Sequence, residues 1–180
     1  MDLQSIRANH AERERAFTAV EWLQALQDAG LASFGASGFP STRQEHWKYS
    51  STKSLQRLSF ETSGESSVTA ADIAEYSLAP MVDSELVFVN GTYRADLSSG
   101  SSLDGIDALS FRDALAKHPT LMREHLGSLA RFDSAPDWAF TALNMAFISD
   151  GLLVVVSGPQ TSETLHIVHV QDASHGVTST

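Results

Sequence analysis

The chain has 180 residues, a formal net charge of −10 at pH 7 and no cysteine. A chain of this length forms one domain, or one domain and part of another, and its acidic balance argues against nucleic acid as the main partner. Without cysteine, the chain offers no disulfide, no thiolate nucleophile and no cysteine ligand for zinc or an iron–sulfur cluster.

The N-terminal residues are charged and lack the apolar region of a signal peptide. No apolar run approaches the roughly 18 residues of a membrane span. We therefore predict a cytoplasmic protein that has no membrane span. Residues 5–30 are predicted to form a helix, because Phe17, Leu23 and their neighbours recur every three residues. Gly30 is predicted to end this helix, and the Gly/Ser/Pro-rich residues 33–42 are predicted to be a linker.

The middle of the chain carries two local signals for defined structures. Thr69 and Asp72 match a helix capping box and predict a short helix. Two apolar-rich runs between residues 85 and 97 flank the dipeptide Asn90-Gly91. This dipeptide suits a type I′ turn, because both central positions of that turn need positive φ. The sequence therefore predicts a β-hairpin over residues 85–97.

The last third of the chain changes from helix signals to strand signals. Three helices are predicted between residues 110 and 148: the first is capped by Ser110 and Asp113, the second starts at Thr120, and the third is capped by Ser134 and Asp137. The first of them is predicted to end near His118-Pro119, because proline breaks a helix. The runs LLVVV at 152–156 and TLHIVHV at 164–170 are apolar and rich in β-branched residues, so they predict strands.

Seven histidines raise the question of a metal site, and the densest set is His166, His169 and His175. Side chains alternate between faces along a strand, so His166 and His169 are predicted to point to opposite faces and not to share an ion. A helix-breaking proline lies between His118 and His125. We therefore predict structural histidines and no metal site.

The sequence contains no pattern that indicates catalysis. A nucleophilic serine elbow needs G-x-S-x-G after a strand, whereas the run Gly35-Ala-Ser37-Gly38 has a different spacing and no strand before it. No Gly-rich loop precedes a Lys-Ser/Thr pair, so there is no phosphate-binding P-loop. We predict that the protein is not an enzyme; a hydrolase with an unrecognised site is a weaker hypothesis, because no nucleophile–base pair is found.

The segment GFPSTRQEHWKYSS, residues 38–51, is too charged for a core element and too aromatic for a linker. Between residues 41 and 58, four cationic side chains oppose one carboxylate, a net charge of +3 within an acidic chain. Such a patch is able to hold a phosphate, but more often it is an arm that docks on an acidic neighbouring surface. We predict docking, with Trp47 and Tyr49 as anchors, and a largely buried Trp47.

The same segment resembles a family signature. Residues 39–55, FPSTRQEHWKYSSTKSL, are similar to the N-terminal pattern P-x-x-[RK]-x-E-x-W-[KR]-Y-[ST] of SufD, in the SufB/SufD family of iron–sulfur cluster assembly. The matching residues are Pro40, Arg43, Glu45, Trp47, Lys48, Tyr49 and Ser50. Residues 85–98 resemble the family's hairpin, and residues 140–170 resemble the helix-to-strand entry to its core. The matches follow the family's order over almost the whole chain.

The resemblance implies an α+β fold: N-terminal helices, a small β-hairpin, a helical stretch, and then the first strands of a right-handed β-helix. Family members are more than twice this length, so the chain is expected to be the front part of such a protein. We expect residues 1–58 to form the N-terminal helical region and arm, and residues 59–148 a small α/β region. Residues 149–180 are expected to be the truncated start of a β-helix core.

The resemblance also implies a function: a scaffold subunit of a SufB/SufC/SufD-type complex for iron–sulfur cluster assembly. The expected partners are a SufB-like paralogue and a SufC-like ATPase, whose main contact regions are missing from this chain. No cofactor is expected in this segment, because the whole complex handles the cluster. The alternative is a stand-alone binding or regulatory module with SufD-like ancestry. The open strand edge is expected to self-associate or to leave residues 164–180 poorly ordered.

Overall fold

The computed structural model describes residues 3–12, 20–57, 66–100, 103–130, 132–133, 136–158 and 162–172. The helices in these ranges are α1 (Leu3–Glu12), α2 (Glu21–Ser37), α3 (Ala70–Ile73), α4 (Phe111–Lys117), α5 (Pro119–His125) and α6 (Ala139–Phe147). The strands are β1 (Ser84–Val89), β2 (Thr92–Tyr93), β3 (Ser99–Gly100), β4 (Ile106–Ser110), β5 (Leu152–Val156) and β6 (Leu165–Val170).

The chain divides into two compact units, each built from separate parts of the sequence. The first unit contains α1, α2 and α6, and the second contains α3, α4 and the six strands. The boundary between the units falls within α5. The expected division of the chain into residues 1–58, 59–148 and 149–180 stays a prediction.

In the first unit, α2 and α6 pack through a glycine. A Cβ atom on Gly30 of α2 would lie 2.7 Å from the carbonyl oxygen of Ala142 and 2.8 Å from the backbone nitrogen of Ala146 in α6. Only a residue without a side chain allows the two backbones to approach so closely. The buried cluster of this unit comprises Ile6, Phe34, Ala139 and Ala142.

The prediction that Gly30 ends the first helix is wrong. Helix α2 continues to Ser37, and the capping residue is Gly38, which has a φ of 65° and donates its N–H to the carbonyl oxygen of Phe34. Gly30 instead serves the contact with α6, so residues 33–37 of the predicted linker are helical. Phe17, which supported the helix prediction, lies outside the described residues.

In the second unit, β1 is the central strand of a four-stranded sheet. Strand β6 runs parallel to β1 along its whole length, from Ser84 opposite Leu165 to Val89 opposite Val170. The short strands β2 and β3 pair antiparallel with the two ends of β1. All six residues of β1 are buried, and the apolar cluster on the sheet comprises Ile73, Val87, Val89 and Val168.

The predicted hairpin is confirmed at its turn, but its second strand covers only Thr92–Tyr93 and does not extend to residue 97. Strands β1 and β2 pair antiparallel with Val89 opposite Thr92, so Asn90 and Gly91 form a two-residue turn. Asn90 has a φ of 49° and Gly91 a φ of 81°. Positive φ at both positions is what a type I′ turn requires.

The strand predictions at 152–156 and 164–170 are confirmed as β5 and β6, but the two strands have different partners. Strand β5 pairs antiparallel with β4, from Ser110 opposite Leu152 to Ile106 opposite Val156. The last strands of the described chain are therefore integrated with strands from residues 84–110. Within the described ranges, β5 and β6 do not pair with each other.

Two predicted caps are confirmed. The N–H of Thr69 donates to Oδ2 of Asp72 at 2.8 Å, and the resulting helix α3 is one turn long. Oγ of Ser110 accepts a hydrogen bond from the N–H of Asp113, and α4 ends at Lys117, next to His118-Pro119. The predicted cap Ser134 lies outside the described residues, and α6 begins at Ala139 after a 3₁₀ turn.

The α+β class is confirmed by this arrangement of helices and sheets. The described strands form a mixed four-stranded sheet and an antiparallel pair, so the right-handed β-helix is not part of the observed fold and stays a proposal. None of the helices in the described ranges has both the length and the apolar content needed to cross a membrane.

Candidate docking loop

The segment after α2 forms a loop that is closed at its base. Thr52 is buried and donates its hydroxyl hydrogen to the carbonyl oxygen of Pro40 at 2.7 Å. Pro40 is itself fully buried, and Nε2 of Gln56 donates to Oγ1 of Thr52 at 3.1 Å. These contacts hold the two ends of the segment together. We call residues 40–57 the basic loop.

Short turns determine the path of the basic loop. The N–H of Ser41 donates to Oε1 of Gln44 at 2.6 Å, and the N–H of Gln44 donates back to the carbonyl oxygen of Ser41 at 3.0 Å. A 3₁₀ turn then spans Glu45–Trp47, and the N–H of Ser50 donates to the carbonyl oxygen of Trp47 at 2.9 Å. The loop therefore has a hydrogen-bonded backbone, as compact surface loops with close ends commonly do.

Aromatic contacts attach the basic loop to the helices of the first unit. The ring of Trp47 lies 5.2 Å from the ring of Phe140 in α6, centroid to centroid. Phe39, next to the loop, packs edge-on against Phe34 of α2 at 5.1 Å and lies 6.0 Å from Phe140. Such ring pairs contribute about 0.5–1.5 kcal/mol each beyond the area they bury.

The two predicted aromatic anchors behave differently, and only the expectation for Tyr49 needs correction. Trp47 packs against Phe140 of α6 and most of its surface is covered, in line with the expectation that it is largely buried. Tyr49 is not an anchor to the body, because 92% of its surface is exposed. The turn after Trp47 points the next aromatic residue away from the helices.

The charges of the basic loop also point outward. Its exposed cationic side chains are those of Arg43, Lys48, Lys53 and Arg57. None of them forms an ion pair with any residue that the structure describes, and docking of the arm on an acidic neighbouring surface stays a prediction. Nζ of Lys48 lies 5.5 Å from the ring centroid of Tyr49, within the range of a cation–π contact. The loop thus presents cations and one aromatic ring together.

The second unit contains a buried carboxylate that the sequence analysis missed. Glu85 on β1 accepts hydrogen bonds from the hydroxyl of Ser77 and the N–H of Leu78, both at 2.7 Å, and lies 2.8 Å from Nδ1 of His166. Burial raises the pKa of Glu85, but hydrogen bonds from Ser77, His166 and Leu78 outweigh burial, so the pKa lies below its usual value. The only sequence signal was a glutamate within a strand-like apolar run.

The histidines lie at separate structural positions. His166 is opposite Glu85 in the β1–β6 register, whereas His169 is opposite Phe88 and stacks on its ring at 5.3 Å. His118 lies 3.2 Å from Asp107; hydrogen bonds from Lys117 and then from His118 lower the pKa of that carboxyl. His175 lies outside the described residues.

Among the described residues, no group of three or more His, Asp or Glu side chains has the arrangement of a metal site. The described part of the chain therefore supports two kinds of feature: a hydrogen-bonded carboxylate that joins parallel strands, and an exposed basic loop on a helical unit. The first is structural in its contacts. The second is the candidate functional site, because its charges and its tyrosine are not used by the fold.

The described residues define an α+β fold with an exposed basic loop, and comparisons with known proteins identify the family of the chain. The family model described as the SufBD protein N-terminal region matches residues 8–167. The chain therefore belongs to the SufBD family, and the matched part is the N-terminal region of that family.

A curated relative agrees with this family. The chain is 26% identical over 136 residues to an iron–sulfur cluster assembly SufBD family protein of Synechocystis sp.. The aligned part covers 76% of this chain and 29% of the relative. The aligned part thus spans less than a third of the length of this relative.

Proposed function

We propose that the chain is the N-terminal part of a scaffold subunit of a SufB/SufC/SufD-type complex for iron–sulfur cluster assembly. The observation that carries the proposal is the match of the SufBD N-terminal family model to residues 8–167. The name of the Synechocystis relative, an iron–sulfur cluster assembly protein, supports the same process. In this proposal the subunit is not an enzyme and works in the cytoplasm.

The proposed partners are a SufB-like paralogue and a SufC-like ATPase; nucleic acid is not a proposed partner, and no membrane span is proposed. The cluster is cargo of the whole complex, and the described residues hold no cofactor of their own in this proposal. We further propose that β5 and β6 are the opening strands of a right-handed β-helix. The parallel pairing of β6 with β1 supports this, because stacked coils of a β-helix pair in parallel.

The alternative function is a stand-alone binding or regulatory module with SufD-like ancestry. The basic loop favours it, because the Thr52–Pro40 hydrogen bond and the ring contacts of Phe39 and Trp47 hold the loop in shape within this chain. A module of this kind would bind its partner through that loop without a SufB-like or SufC-like subunit.

Deletion and complementation in the source organism test the leading proposal. A strain without this gene is expected to lose iron–sulfur enzyme activity and cluster content, and the wild-type gene is expected to restore both. The tagged gene product should co-purify with SufB-like and SufC-like proteins. Normal cluster content together with no such co-purification would contradict the scaffold proposal and favour the stand-alone module.

Metal analysis of the purified chain tests the absence of a resident metal site. We expect no stoichiometric iron or zinc and no turnover, because the chain has no cysteine and its strand histidines have separate partners. About one metal ion per chain that disappears on His166→Ala or His169→Ala substitution would contradict this expectation.

A further inference from the structure

We propose that the basic loop docks an acidic segment of a partner protein, with Tyr49 as the outward anchor and Arg43, Lys48 and Lys53 as the recognising charges. The proposal concerns the chemistry of the surface and does not depend on the assignment to an iron–sulfur complex.

The fold leaves the recognising groups available. Tyr49 is 92% exposed, so its ring is accessible to a partner. Lys48 lies over its ring, and Arg43 and Lys53 are exposed without an ion pair among the described residues. An exposed aromatic ring beside unpaired cations is a composition typical of interface centres, where tyrosine and arginine dominate binding.

The backbone of the loop is preorganised by contacts within the first unit. The Thr52–Pro40 hydrogen bond closes the base, and Trp47 holds the middle on Phe140. A loop already held in one shape loses less conformational freedom when it binds. Buried contacts on one side of the loop and unused charges on the other fit a docking surface better than a linker.

The charge distribution favours an acidic protein segment over a nucleic acid or a phosphate. The loop carries a net charge of +3 within a chain of −10, so a long polyanion is attracted locally and repelled by the rest of the molecule. Glu45 is also exposed within the loop, and because repulsion grows with the charge of the anion, it opposes a multiply charged phosphate more than a single carboxylate. A short segment that mixes carboxylates with apolar side chains matches both the cations and Tyr49.

Fluorescence anisotropy tests the proposal with a fluorescein-labelled peptide of repeated Glu-Glu-Leu, titrated with the full chain. At about 0.15 M salt the screening length is about 8 Å, so the loop acts on the peptide while more distant acidic residues are screened. Single-stranded RNA and inorganic triphosphate are titrated in parallel as competing anions. Thermal unfolding of each variant verifies that it is folded.

We expect the wild-type chain to bind the peptide, and the double substitution Arg43→Glu, Lys48→Glu to weaken binding by about tenfold or more. Tyr49→Ala should weaken binding about three- to tenfold, and it changes only an exposed side chain. Thr52→Val leaves the charge unchanged but opens the base of the loop, so it should weaken binding about threefold. The matched control Arg112→Glu, Arg123→Glu reverses two exposed charges outside the loop and should change binding less than about twofold.

Three results would overturn the proposal. The first is that the wild-type chain does not bind the peptide. The second is that the two double substitutions weaken binding equally, which would indicate an effect of net charge alone. The third is that Tyr49→Ala and Thr52→Val both bind the peptide as tightly as wild type does. A further contrary result is that RNA or triphosphate binds more tightly than the peptide and loses this binding in the double substitution Arg43→Glu, Lys48→Glu. That result would overturn the acidic segment as the ligand of the loop and indicate a polyanion in its place.

Discussion

Substitution of Gly30 by alanine should destabilise the first unit, although alanine is the better helix former. The added Cβ would lie 2.7 Å from the carbonyl oxygen of Ala142 and 2.8 Å from the backbone nitrogen of Ala146. Both atoms belong to the backbone of α6 and cannot rotate away. A carbon atom in van der Waals contact lies about 3.5 Å from its neighbour, so the two helices must separate locally by roughly 0.5–1 Å.

The size of the effect follows from two opposing contributions. Alanine favours the helix by about 1 kcal/mol relative to glycine. Forced separation of packed elements costs about 1–3 kcal/mol, and contact with a backbone belongs at the upper end of that range. We therefore expect Gly30→Ala to lower the free energy of unfolding by about 1–2 kcal/mol.

Gly35 in the same helix provides a matched control. A Cβ at Gly35 would meet only Nη2 of Arg7 at 3.5 Å, the mobile end of a long side chain. Gly35→Ala should therefore stabilise the protein by about 0.5–1 kcal/mol through helix propensity alone. Urea denaturation monitored by circular dichroism compares the two variants with wild type. Equal stabilisation by both substitutions would refute the close contact between α2 and α6.

Three further predictions concern the second unit. Gly91→Ala should cost about 1–2 kcal/mol in urea denaturation, because Gly91 has a φ of 81°, whereas Asn90→Gly should change stability little; equal effects would contradict the type I′ turn. Glu85 has a lowered pKa in the folded protein, so its carboxylate stabilises the fold above its unfolded pKa of about 4.3, and this stabilisation is lost as pH falls through the folded pKa. Wild type should therefore lose more unfolding free energy than Glu85→Gln between about pH 5 and pH 3, and parallel pH profiles would argue against a lowered pKa. A chain cut after Ser149 lacks both β5 and β6, so β1 loses its parallel partner. We expect fast amide exchange at residues 84–89 of this shortened chain and self-association in sedimentation. A shortened chain that stays monomeric with slow exchange at these residues would refute the prediction. The uncut chain is expected to self-associate more weakly, through the edge of β6 that has no strand partner among the described residues.

The elements that the sequence predicted correctly depend on chemistry within a few residues. The turn at Asn90-Gly91 needs two positions with positive φ, and these two residues tolerate that conformation better than most. The cap at Ser110 joins a hydroxyl to an N–H three positions later. In both cases, the atoms that decide the structure are close along the chain, so the pattern of residue types was sufficient.

The errors arose where distant residues decide the outcome. Gly30 looked like a helix end, because glycine ends many helices, and nothing near it in the sequence shows that α6 packs there. Trp47 and Tyr49 are only two positions apart, and both suited the role of anchor. Which of them faces the body depends on the 3₁₀ turn and on Phe140, which is 93 positions away from Trp47 in the sequence. The residue types of the basic loop predicted a charged and aromatic surface, but they did not predict which aromatic side chain faces the helices and which faces outward.

The buried Glu85 explains how β6 finds its register on β1. When both faces of a strand are apolar, several registers of its neighbour bury a similar apolar area. Hydrophobicity alone then specifies the pairing of the two strands only weakly. Glu85 removes that freedom, because its carboxylate lies opposite His166 and within 2.8 Å of its Nδ1. A shift by one residue would place Ile167 there and leave a buried carboxylate oxygen without this partner, at a cost of about 1–3 kcal/mol. The remaining hydrogen bonds come from Ser77 and Leu78, eight and seven positions before Glu85, so the carboxylate has local partners as well as one that lies 81 positions away. A charge that weakens the apolar character of β1 thus selects one parallel pairing among several.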